Sequence, residues 1–269
     1  MYPTDRSARG YRTRFASPEQ DAILDDMAAT CEAAGEGAVA VFDLDGCLFD
    51  NRPRIIQIWR ELASRADLPA LHQIEPEHFD DWTHARTFAN AGLTPAEVEA
   101  ALPKAEPAFF RHFFEGEYCV HDHPMPGARR LVWAAYRAGL SVVYLTGRHE
   151  EMRAGSTQSI LRCGFPLERP RTRLVMKPDM ETDDLAFKGE ALREIRTLGE
   201  PALLVDNEPG NVNVFLKHCP DAHIVWVETD HSPRPIHPDP SIPGIRSWTR
   251  TTDPGAQVGQ GMGPAGSTR

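Results

Sequence analysis

Hydrophobic and polar positions switch repeatedly between two periods along the chain. Ser17-Pro18-Glu19-Gln20 reads as a capping box with Pro at the first helical position, predicting a helix that carries Ile23, Leu24 and Met27 on one face. Ala38-Val39-Ala40-Val41-Phe42 is a short continuous apolar run, the pattern of a strand covered on both faces. The alternation resumes after residue 118. A helix opened by Pro126-Gly127 runs through Leu131, Val132, Ala135 and Tyr136 to Gly139, followed by a strand over Ser141 to Leu145. A helix over about Glu150 to Cys163 ends at Gly164 and Pro166, and a strand near Arg173 to Met176 comes next. Then follow a helix over about Asp184 to Leu198 ended by Gly199, a strand over Ala202 to Val205, a helix over about Pro209 to Lys217, and a strand over Ala222 to Val227. Strands and helices in this order predict an α/β fold, a parallel sheet with helices on both faces.

One stretch departs from the pattern. Residues 53–118 carry only helical periodicity, with Ile55, Ile58, Trp59 and Leu62 on one face and a second capping box at Thr94-Pro95-Ala96-Glu97. Phe109, Phe110, Phe113 and Phe114 follow at helical spacing and are expected in the core of this all-helical insert rather than against a ligand. The expected division is therefore an N-terminal tail over 1–16, a core over 17–52 and 119–230, a helical insert over 53–118, and a Pro/Gly-rich C-terminal tail over 231–269. Such tail composition buries too little apolar surface to offset its ordering entropy.

Composition narrows the class. Hydrophobic residues are 41% and charged residues 25% of the 269, ordinary globular values. Lys and Arg number 29 against 39 Asp and Glu, a net charge of −10 that argues against nucleic acid as a partner. There is neither a run of about 18 apolar residues, as a membrane span needs, nor an apolar N-terminal leader, so a cytoplasmic protein without a membrane partner is expected. The five cysteines, Cys31, Cys47, Cys119, Cys163 and Cys219, are scattered without Cys-x-x-Cys spacing and read as free thiols.

Candidate chemistry begins where the first buried strand ends, at Phe42-Asp43-Leu44-Asp45-Gly46. In extended backbone, residues i and i+2 share a face, so Asp43 and Asp45 project together from the carboxyl end of the sheet, where open parallel sheets bind ligands. A calcium loop starting at Asp43 would need Gly where Leu48 stands and Glu where Arg54 stands, which excludes it. His121-Asp122-His123 is expected to be a solvated loop rather than a metal triplet. Arg148 and His149 are open between touching a substrate and, for the arginine, pairing with a neighbouring carboxylate.

The sequence from about residue 38 to 228 resembles the haloacid dehalogenase-like hydrolase superfamily through four ordered segments. They are the Asp-x-Asp-Gly of Asp43 to Gly46, the strand Val142 to Leu145 ending in Thr146-Gly147-Arg148, Lys188 opening the helix Phe187-Lys188-Gly189-Glu190, and Val205-Asp206-Asn207-Glu208 at a strand end. The resemblance implies a doubly wound, Rossmannoid parallel sheet with an all-helical cap insert, and a Mg²⁺-dependent phosphatase acting on a small phosphorylated substrate. A carboxylate attacking a phosphate ester needs a divalent cation to suppress charge repulsion. Asp43 would be the nucleophile forming an aspartyl-phosphate, and Asp45 the acid and then the base. By resemblance, Thr146, Gly147 and Lys188 would hold the phosphoryl group, with Lys177 a rival for the lysine's place. Asp43, the carbonyl of Asp45 and Asp206 would hold the metal. Many members carry a second carboxylate where Asn207 stands, so Asn207, Glu208 or Asn211 would act around the metal instead. The alternatives are a phosphotransferase or mutase, a polynucleotide 3′-phosphatase, and a catalytically silent binding protein of the same fold.

Overall fold

Every side chain of strand β2, Ala38–Phe42, is buried, which is possible only at the centre of a sheet covered on both sides. The computed structural model describes residues 14–65, 69–80, 83–232 and 234–259. Within them, β2 is flanked by β5 (Ser141–His149) and β7 (Glu200–Asp206) in a six-stranded sheet. Adding β6 (Thr172–Lys177), β8 (His223–Val227) and β9 (Gly244–Ile245) gives the order β6-β5-β2-β7-β8-β9, with every pair parallel. The chain winds outward from β2 on one side and then returns to its other side, so a crevice opens at the carboxyl ends of the central strands.

The pleat divides β2 between two cores. Ala40 and Phe42 face α1 (Pro18–Ala34) and α5 (Ala128–Arg137), meeting Leu24, Met27, Leu131, Val132 and Ala135. Val39 and Val41 face the other layer, where α7 (Asp184–Ile195) and α8 (Pro209–His218) supply Ala191, Leu192, Ile195, Val212 and Phe215. Helix α6 (Arg153–Arg162) completes the crossover between β5 and β6.

The segment between β2 and α5 leaves and re-enters through a small antiparallel ribbon in which β3 (Phe49–Asp50) pairs with β4 (His123–Pro124). Between these strands lie α2 (Arg52–Arg65), α3 (His84–Asn90) and α4 (Pro95–Phe113) with short 3-10 turns. They bury Ile55, Ile58, Trp59, Leu62, Phe88 and Phe109 in a core of their own. The capping box at Thr94 is complete, with the Thr94 hydroxyl accepting from Glu97 N and Glu97 Oε2 accepting from Thr94 N at 2.7 Å.

The two tail expectations need correction. Residues 1–13 and 260–269 lie outside the described residues, but Phe15–Ala16 (β1) pairs in parallel with Gln257–Val258 (β10). The segment after residue 231 packs onto the core. Gly244–Ile245 extends the main sheet, and Trp248, 1% exposed, donates from Nε1 to the Cys47 carbonyl at 2.8 Å. Average composition hid the buried apolar residues Ile242, Ile245 and Trp248. The capping box at Ser17 is only half formed for the same reason. Ser17 Oγ accepts from Gln20 N, but the Gln20 side chain donates to the carbonyls of Phe15 and Thr249 and accepts from Arg246 N. All five cysteines are free and buried, and no described helix is long and apolar enough to cross a membrane.

Replacing Trp248 by Ala removes a buried ring and its hydrogen bond, and should cost about 3–5 kcal/mol of stability. Urea unfolding of W248A checks this; a loss below about 1 kcal/mol would mean that the segment only lies on the surface.

Candidate active site

Three side chains that the sequence spreads over three elements meet at the carboxyl ends of the central strands. Asp43 follows β2, with its N–H donating to the Val205 carbonyl of β7 at 3.0 Å. Asp206 ends β7 itself, and Lys188 stands in the first turns of α7. The Lys188 ammonium donates to Asp43 Oδ1 at 2.6 Å and to Asp206 Oδ2 at 2.5 Å, so one cation serves both carboxylates. All three are almost fully buried. Burial pushes the Asp43 carboxyl well above the usual range, with Lys188 opposing the rise and Asp206 adding to it. Burial alone would depress the Lys188 ammonium, but Asp206 and Asp43 hold it above its ordinary value. Lys177 takes no part: its ammonium lies 2.8 Å from Asp184 Oδ1 and donates to the Thr182 carbonyl.

Asp206 is oriented from behind. Asn211 donates to both of its oxygens at 3.1 Å, and Glu208 N donates to Oδ1 at 2.9 Å. Glu208 is occupied elsewhere, its two carboxylate oxygens accepting from Ser232 N and Oγ at 2.7 Å. Asn207 donates from Nδ2 to the Asp230 carbonyl at 2.7 Å, an acceptor that fixes which way the amide points. Its Oδ1 is left buried with no hydrogen-bond partner. Gly46 makes this approach possible: with φ of 74°, a β-carbon there would lie 2.4 Å from Asn207 Nδ2.

Asp45 belongs to a second network. Arg148 reaches it with two donors, Nε to Oδ2 at 2.7 Å and Nη2 to Oδ1 at 2.6 Å, and Arg54 Nη2 adds a third at 2.7 Å. Both arginines also meet Asp122, Arg148 Nη2 at 2.6 Å and Arg54 Nε at 3.2 Å, while Asn51 Nδ2 donates to Asp122 at 2.9 Å. Burial alone would raise the Asp45 carboxyl, yet the Arg148 and Arg54 guanidiniums hold it far below the usual carboxylate range. A bulge in β5 between Thr146 and His149 allows Arg148 to turn beneath the site. Thr146 is fully buried, accepts from Arg148 N at 3.2 Å and, with Gly147, lines the cleft.

The expectation that Asp122 sits in a solvated loop is wrong: it is completely buried as the shared counter-ion of two arginines. His123 beside it is exposed. Of the four phenylalanines expected in the insert core, Phe109 and Phe113 are there and Phe114 packs against it, Phe113 and Phe114 also line the cleft, and Phe110 is 44% exposed. Arg54, Asn51 and Asp122 were not among the expected site residues. One signal pointed to Arg54, which stands one turn before Ile58 and two before Leu62 on the apolar stripe of α2.

Asp43, Asp45, Thr146, Gly147, Lys188, Asn207, Glu208 and Asn211 all border one cleft of about 1030 Å³, its open mouth included. Among the described residues, six with carboxylates line it against three cationic ones. Among the described residues, no group of three or more His, Cys, Asp and Glu side chains is placed to hold a metal ion. That agrees with a site offering two carboxylates, Asp43 and Asp206, with the Asp45 carboxylate turned to its arginines.

Residues 38–163 match the model of the haloacid dehalogenase-like hydrolase family. No curated protein matches the sequence. Protein tyrosine kinase A of Mycobacterium tuberculosis is 17% identical and superposes with a TM-score of 0.50 over 78% of this chain and 94% of its own, a likeness of fold. A subfamily IA hydrolase of the same superfamily from Geobacter sulfurreducens gives 14% identity and 0.46 over 74% and 90% of the two chains. CbbY of Rhodobacter sphaeroides, solved with xylulose-1,5-bisphosphate, gives 14% and 0.44 over 79% and 95%. Residues 38–163 thus resemble the haloacid dehalogenase-like hydrolases, and the parallel sheet with flanking helices matches the Rossmannoid fold of that family.

Arg148→Met leaves Asp45 and Asp122 short of a buried partner, and should cost about 3–5 kcal/mol in urea unfolding. A change within about 1 kcal/mol would show that Arg54 alone satisfies both carboxylates.

Proposed function

We propose that this hydrolase cleaves phosphomonoesters with Mg²⁺, through an aspartyl-phosphate on Asp43. The observation that carries the proposal is the single Lys188 ammonium shared by Asp43 and Asp206 at the carboxyl end of the sheet. Two carboxylates that meet one ammonium, Asp43 at the cleft wall and Asp206 buried behind it, suit a common cation. The donor set fits Mg²⁺ in a further respect. Asn207 Oδ1 is a buried oxygen with nothing to accept from, and a hard cation is the partner such an oxygen lacks. Asp43, Asp206 and the backbone carbonyl of Asp45 would hold the ion, with Asn207 as a neutral acceptor beside it. When bound, Mg²⁺ supplies the positive charge that lets an anionic nucleophile approach a phosphate in a cleft already rich in carboxylates.

The chain's own residues divide the remaining work. Lys188 keeps one Asp43 oxygen fixed and offsets charge on the transferring group, while Thr146 and the Gly147 amide bind its equatorial oxygens. Asp45 is poised unequally for its two roles. Held ionised by Arg148 and Arg54, it is ready to take a proton from the water that hydrolyses the acyl-phosphate. Donating a proton to the leaving oxygen in the first step requires those arginines to loosen, and Arg54 rides on α2, the helix that enters the cap. Approach of a substrate beneath the helices and proton delivery are thereby linked.

Phosphate release from aryl and alkyl monophosphates in the presence of Mg²⁺ tests the proposal. Turnover should vanish with a chelator and fall by orders of magnitude in Asp43→Asn, while acid-quenched wild type retains a phosphoryl group on Asp43. Turnover that survives both treatments would overturn it.

A further inference from the structure

The cleft has two unlike walls. Its floor is the charged cluster at the strand ends, whereas its roof is apolar, made of Ile55, Phe79, Phe113, Phe114 and Met125. These come from the start of α2, a 3-10 turn, the end of α4 and the return to the core, so four separate segments bring hydrocarbon to one surface. The Phe113 and Phe114 rings stand edge to face, with centroids 5.2 Å apart. The Arg54 guanidinium lies 4.1 Å from the Phe113 centroid, connecting the roof to the arginine that grips Asp45.

Charge is the second observation. Among the described residues, each cation that lines the cleft is already committed: Arg52 to Asp50 through two donors at 2.8 and 2.6 Å, Arg148 to Asp45 and Asp122, and Lys188 to Asp43 and Asp206. A second phosphate or a carboxylate on the substrate would therefore meet carboxylates under an apolar roof, and lose hydration without gaining an ion pair. The neighbouring hollow does hold Arg234, but it is lined by Asp184 and Glu208, which an anionic tail would have to pass.

We propose that the ester accepted here carries one phosphate on an uncharged aromatic alcohol or phenol, whose ring lies against Phe113, Phe114 and Phe79. The proposal rests on the phosphatase function for the identity of the phosphate-binding floor, but the roof is tested separately by binding. A buried ring gains far more from such a wall than a methyl group or a sugar does.

The probes are benzylphosphonate and methylphosphonate, which share a head group that cannot be hydrolysed, titrated calorimetrically into the full chain with Mg²⁺ present. Benzylphosphonate should bind about thirtyfold more tightly or better, and in Phe114→Ser the ratio should fall to within about threefold of unity. In parallel, benzyl phosphate should exceed glycerol phosphate and a sugar bisphosphate in kcat/KM; its alkoxide leaving group removes the intrinsic advantage of phenols. Equal binding of the two phosphonates, or preference for the bisphosphate, overturns the aromatic assignment. A retained benzyl preference in binding with no turnover of any ester instead overturns the hydrolytic function and leaves the assignment standing.

Discussion

Two buried carboxylates on adjacent strands repel one another and lose their hydration, and the fold can keep both only by placing a cation between them. Lys188 is that cation. Its position fixes much else: α7 must begin close to the ends of β2 and β7, and Gly189 must let α8 pack within reach of that turn, where a β-carbon would sit 3.3 Å from His218. Buried ion clusters of this kind are weak sources of stability because desolvation offsets their attraction. Their presence at the crevice of a parallel sheet is therefore better explained by chemistry than by stability.

A second charged cluster solves a different problem. Asp45 is separated from Asp43 by one residue, yet its carboxylate is drawn into a network with Arg54, Asp122 and Arg148. Arg54 belongs to the helix that leaves the core, Asp122 to the stretch that returns to it, and Arg148 to β5. The two chain crossings into the helical segment are thus tied to the sheet through two carboxylates, Asp45 and Asp122, that both pair with Arg148. Any displacement of those helices is felt at Asp45, two positions from the proposed nucleophile, so cap geometry and the proposed proton transfer share the same side chains.

Much of this was legible before any coordinates. The apolar runs ending in Asp43, Thr146 and Asp206 set three strands side by side in a parallel sheet, because strands buried on both faces leave few other arrangements. Lys188 was legible from its place at the start of a helix preceding the last motif. The Arg54–Asp122–Arg148 network was less so, since an arginine and an aspartate 68 positions apart show no shared period. Asp122 read as part of a solvated loop leading into Pro124, and only packing shows it turned inward. The C-terminal segment misled in the opposite way: its prolines and glycines describe a chain without helices, not a chain without burial, and Ile245 and Trp248 supply the contacts that hold it.

The central claim is that Asp43, the proposed nucleophile, and Asp206 serve one cation. A crystal structure of the protein grown with Mg²⁺ and beryllium fluoride tests it most directly. The account predicts a fluoroberyllate joined to an Asp43 oxygen, with Lys188 and Thr146 in contact and a single ion between Asp43 and Asp206. A fluoroberyllate bound elsewhere, or an ion that leaves Asp206 with only Lys188, Asn211 and the Glu208 amide for company, would contradict it.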